Sequence, residues 1–175
     1  MPSQLTAPSV GYIGEALLAN FREGVTNTAA KRFRVNDLVT LASGLVEGMG
    51  DPTSNATFNG TPDILGMVCR NHQTRTVAEA SPGTLPVVLA NDVNLFVLPL
   101  YSATAANTYP SANLPGAFFR VGFQTSIQMA DVATKQATVT GGVQLQLVGY
   151  AEGTNASETF PFGIFRVVTA ERIFV

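Results

Sequence analysis

Cys69 and His72 are the only cysteine and the only histidine of the chain, and they stand three residues apart. A thiol beside an imidazole is the pair that could make an activated nucleophile. Strand alternation would put the two on opposite faces, however, and Cys69 closes the apolar run from Ile64, so it reads as a small buried hydrophobe. A serine triad would have to use His72, and no Gly-x-Ser-x-Gly turn is present to present the serine. The acids, among them Asp37, Asp51, Asp63, Asp92, Asp131 and Glu158, are scattered towards strand ends and loops. Asp there usually closes turns by bonding its own backbone. A glycosidase would need two carboxyls in one cleft and aromatic platforms for the sugar, and the chain has no tryptophan. Gly141-Gly142 is followed by no helix that could aim its N-terminus at a phosphate, so it reads as a tight turn or bulge. No Cys/His cluster with zinc spacing and no calcium loop occurs. The expectation is a protein that is not an enzyme and carries no cofactor and no metal.

Composition points to association. Charged residues make up 13% of the chain and hydrophobic ones 46%, whereas about a quarter of an ordinary soluble domain is charged. A surface short of charge exposes amides, hydroxyls and apolar groups, and such surfaces tend to be covered by another protein. The net charge of −2 and the dispersed cations argue against nucleic acid, which needs a basic stripe. The densest basic cluster is Lys31-Arg32-Phe33-Arg34, flanked by Glu23 and Asp37, and it reads as a solvated strand edge or as a docking contact to an acidic neighbour. No apolar run is long enough to span a membrane as a helix. Met1-Pro2-Ser3-Gln4 shows no basic and apolar leader pattern, so synthesis in the cytoplasm is expected.

The elements that would position these residues are strands. Residues 1–30 read as an N-terminal arm, with one short helix on Ile13, Leu17 and Phe21, and residues 31–175 as a single β domain. A two-turn helix does not persist alone in water, so the arm must dock on something. Residues 48–63 and 102–116 read as long loops, and strands are expected at 64–70, 87–89 and 93–101. Pro99 demotes the last of these towards a sheet edge. The clearest signal is the alternation from Ala117 to Ala130, read as one strand that pairs with 139–150 across a link at 131–138. About eight strands with long loops and only a vestige of helix indicate an all-β fold, an antiparallel β-sandwich or barrel.

Over residues 10–75 the chain resembles the decoration (cement) proteins of tailed-bacteriophage capsids. The likeness lies in Gly11-Tyr12-Ile13-Gly14 of the arm, in Lys31-Arg32-Phe33-Arg34-Val35 opening the first strand, and in the strand Ile64-Leu65-Gly66-Met67-Val68-Cys69-Arg70-Asn71-His72. The 117–150 segment is longer than in the short members of that group. The resemblance implies a structural virion protein, made in the host cytoplasm and placed on the capsid surface. Its partners would be further copies of itself, with a trimer favoured, and the major capsid protein, whose neighbouring subunits it would clamp. The arm residues Tyr12, Ile13, Leu17 and Phe21, with Arg32 and Arg34 at the arm–domain junction, are the expected interface. The competing expectations are a host-recognition tail or fibre module and a carbohydrate-binding β-sandwich.

Overall fold

The structure is a computed structural model that describes residues 11–13, 18–22, 36–42, 44–49, 56–57, 63–68, 84–101, 115–124, 127–139, 142, 144–151, 162–168 and 172. These form twelve strands: β1 (Gly11–Ile13), β2 (Leu18–Arg22), β3 (Leu38–Ala42), β4 (Leu45–Gly48), β5 (Ala56–Thr57), β6 (Ile64–Val68), β7 (Thr84–Leu89), β8 (Leu95–Tyr101), β9 (Phe118–Gln124), β10 (Ile127–Gln136), β11 (Leu145–Tyr150) and β12 (Phe162–Val167). No helix occurs among the described residues. The all-β reading holds, and its sandwich-or-barrel alternative resolves into a closed barrel and a curled sheet.

Five strands close the barrel in the order β8-β10-β9-β11-β12 and back to β8. Every junction is antiparallel except β10–β8, a short parallel pairing at Ala130↔Leu100 and Asp131↔Tyr101. Alternation sends one face of each strand inward. Phe96, Leu98 and Leu100 of β8 meet Phe119 and Val121 of β9, Ala130 and Val132 of β10, Leu145 and Leu147 of β11, and Phe165 and Val167 of β12, all in one buried cluster. The rings of Phe119 and Phe165 meet edge to face, with centroids 5.9 Å apart. Gly163 makes room for this: a Cβ there would stand 2.6 Å from the Phe165 ring.

The second sheet runs β2-β7-β6-β3-β4 and curls until Cα atoms of its end strands, β2 and β4, come within 8 Å without pairing. One of its faces adds Leu38, Ile64, Met67 and Val88 to the barrel's cluster. The other holds a smaller cluster of Val39, Val46, Leu65, Val68 and Val87. Residues 64 and 67 share one face, and 65 and 68 the other, because β6 bulges against β3: Val39 faces Gly66 while the next residue, Thr40, faces Ile64. Gly66 is required by close approach, since a Cβ would lie 1.9 Å from the Val88 carbonyl oxygen.

Two side chains tie sheet to barrel. Buried Gln128 of β10 treats β3 as a neighbouring strand: its Oε1 accepts from Leu38 N–H at 2.5 Å and its Nε2 donates to the Leu38 carbonyl at 3.0 Å. Arg172 forms a parallel bridge to Ile64, donates from Nε and Nη2 to the Val167 carbonyl, and from Nη1 reaches Asp92 Oδ1 at 2.6 Å. Asp92 is held there by the turn between β7 and β8, where Asn91 Oδ1 accepts from the N–H groups of Val93 and Asn94.

Two expectations change. The alternation over 117–130 is two strands, β9 and β10, with Gln124 facing Ile127 across a two-residue connection, and the expected link at 131–138 is largely β10. Facing residues point to the same side, so inward parity switches from odd to even positions. Ile127 is thereby 55% exposed, whereas Gln128 and Ala130 are buried. Pro99 lies in a strand with partners on both edges. It is accommodated because it faces the first residue of β12, Phe162, and sits between the β1 and β10 pairings on the other edge, where no continuous ladder needs its missing N–H. The arm helix expected on Ile13, Leu17 and Phe21 has its centre, 14–17, outside the described residues, while Ile13 and Phe21 themselves belong to β1 and β2. A spacing of four is a multiple of the strand period as well as close to a helical turn, so three such points fit either.

Candidate interface

β1 brings the arm onto the barrel. It adds to one edge of β8 through Gly11↔Val97, Tyr12↔Phe96 and Ile13↔Leu95, while β12 takes the other edge through Ile164↔Val97 and Phe162↔Pro99. Phe96, Leu98 and Leu100 point into the barrel, so Leu95, Val97 and Pro99 face outward with their cross-strand neighbours. The outcome is an apolar strip three strands wide: Ile13, Leu95, Val97, Pro99, Phe162 and Ile164. Ile13 is 46% exposed, Leu95, Pro99, Phe162 and Ile164 are half-buried, and Val97 is buried in the middle. Arg166, exposed and two residues beyond Ile164 on the same face, gives the strip a charged border.

The outer face of β9 and β10 is different in kind. Arg120 faces Asp131 across the pair, and the bulge that follows folds over them. Thr134 Oγ1 accepts from Arg120 N–H at 2.9 Å and donates to the Asp131 carbonyl at 2.6 Å, and Asp131 Oδ1 accepts from Ala133 N–H at 3.0 Å. Asp131 is fully buried by this arrangement. The Thr134 hydroxyl and the Asp131 carboxylate are thereby engaged within the face, which leaves them little to offer a partner.

Of the expected interface residues, the structure brings Ile13 to this strip, while Tyr12, its neighbour in β1, stands opposite the inward Phe96 in the register. Phe21 is in β2, opposite Leu85 in the other sheet, so it is not beside them. Leu17, Arg32 and Arg34 lie outside the described residues, as do Cys69 and His72. The strip residues of β8 and β12 are additions. Their signal in the sequence is a strand apolar on both faces, Leu95 to Leu100, where a strand with one solvated face would alternate.

The described residues include no group of three His, Cys, Asp or Glu side chains that could hold a metal ion. No described helix is long and apolar enough to cross a membrane. The hydrogen bond and the charge of Arg172 hold the Asp92 carboxyl below its ordinary pKa, and burial raises that of the Tyr150 hydroxyl. Both groups act in packing and clasping. The chain matches no family model, no curated protein and no solved structure.

Proposed function

We propose that this chain is a structural virion protein that assembles on the outside of a phage capsid and stabilises it by clamping neighbouring capsid subunits. The observation that carries the reading is the apolar strip Ile13–Leu95–Val97–Ile164 with Pro99 and Phe162, on the outer face of a closed barrel whose core is already filled. A strip of that kind gains stability by being covered, and the low charge of the whole chain extends the argument to the rest of its surface. The likeness of residues 10–75 to capsid decoration proteins supplies the kind of partner, copies of the same chain and the major capsid protein. A permanent contact of this sort relies on apolar area and shape more than on charge.

The test is co-sedimentation of the purified protein with shells assembled from a candidate major capsid protein. Saturable binding that Ile164→Asp weakens at least tenfold, with its melting temperature kept, is the expected result. Failure of the unmodified chain to bind such shells removes the capsid reading.

A further inference from the structure

Both strands of the N-terminal segment are edge additions. β1 pairs with β8 alone through three residues, and β2 pairs with β7 alone from Leu18↔Val88 to Arg22↔Thr84. Their hosts belong to different sheets, so β1 and β2 act as two ends of a strap, each tied to its host by main-chain hydrogen bonds. Bonds of this kind are blind to which copy of the chain supplies the strand. A second copy offers the same β8 and β7 edges. Moving the strap from its own edges to those of a neighbour therefore breaks and remakes the same set of contacts, and the outcome depends on reach and on local concentration.

Reach is sufficient. Thirteen residues, 23–35, lie between Arg22 and Asn36, and an extended chain of that length covers at most about 45 Å. A compact chain of this size has a radius of gyration of roughly 16 Å, hence a diameter near 40 Å, so the strap can arrive at the equivalent site of a touching neighbour. Proximity comes from the strip itself, because β1 forms one side of it and carries its most exposed member, Ile13. A subunit covering the strip stands directly on β1. We infer that residues 11–22 are exchanged between copies of this chain in the assembled oligomer, each copy's β1 and β2 completing the β8 and β7 edges of its neighbour. Chains kept apart by dilution hold the strap in cis. The inference rests on the assembly reading above and adds the means by which the copies are joined.

The register supplies the test. Ile13 and Leu95 face one another, so Ile13→Cys with Leu95→Cys, made with Cys69→Ser, can form a disulfide within one chain or between two. Oxidation at the concentration of assembly should give covalent multimers on a non-reducing gel, and dilution before oxidation should lower the multimer-to-monomer ratio at least tenfold. Intrachain disulfides alone, in a protein that still sediments as an oligomer, would overturn the exchange and leave the assembly reading in place. A protein monomeric at every concentration overturns both, and no disulfide of either kind overturns the exchange. Should this variant not fold, Gly11→Cys with Val97→Cys, the other outward pair of the same register, asks the same question.

Discussion

The barrel and the curled sheet each have five strands in their path, yet one closes by hydrogen bonds all the way round and the other stops short. β10 reaches β8 with a parallel pairing of two residues, whereas β2 and β4 come near each other and do not pair. Closure removes edges, and an unclosed sheet keeps two of them. The two regions also use different physics. The barrel is filled by large side chains, with Phe96, Phe119 and Phe165 fully buried, while the sheet depends on close backbone approach at Gly66 and on valines packed across its smaller inner face. The shared cluster joins them, so they should unfold together.

The largest effect is expected in the barrel. Phe165→Ala removes a fully buried ring and its contact with Phe119, and should cost about 3–5 kcal/mol in chemical denaturation. Gly66→Ala asks the same of the sheet. Its Cβ meets the Val88 carbonyl oxygen, so β6 and β7 must part, with a loss of about 2–3 kcal/mol. Both variants should lose near- and far-ultraviolet dichroism in a single transition. A separate early transition in Gly66→Ala alone would mean that the sheet is a unit by itself.

Gln128→Ala sharpens the comparison at the joint between the two regions. It strips Leu38 of partners for its N–H and its carbonyl, a loss of about 1–3 kcal/mol. Hydrogen exchange should rise at Leu38 in particular, while the β9–β11 pairing stays protected.

The smallest effect belongs to Asp92. The Arg172 guanidinium lowers its pKa in the folded protein, so its contribution is fully present above the ordinary value of 3.8 and is lost as pH falls through the folded value. The side chain is 89% exposed, so salt should screen the effect. Asp92→Asn should lower the melting temperature slightly at neutral pH and low salt, and the difference should vanish in acid. A difference that grows in acid would contradict the assignment.

Much of the barrel was legible because its strands alternate. Phe119, Val121, Leu145 and Leu147 are inward where the period of two puts them, and the strands at 64–68, 84–89 and 95–101 fall close to their apolar runs. The β9–β10 connection was not legible. Thr125 and Ser126 continue the alternation and contain no Gly, Asn or Pro to announce a turn. A two-residue connection then inverted the parity, exposing Ile127 and burying Gln128. The bulge at Gly66 was hidden for a related reason, because a run apolar at every position has no phase to read. In the proposed strip, Ile13 is the one member that its place in the arm had already marked as an expected contact. Leu95, Ile164 and Phe162 needed the register between β1, β8 and β12, which only the folded topology provides.

We propose that the outward strip on β1, β8 and β12 is covered by another copy of the chain. Sedimentation velocity at micromolar concentration tests it directly, on the unmodified chain and on Ile164→Asp, with dichroism to verify folding. An oligomer is expected for the first and a folded monomer for the second. A well-folded monomer for the unmodified chain, or an unchanged oligomer for Ile164→Asp, would contradict it.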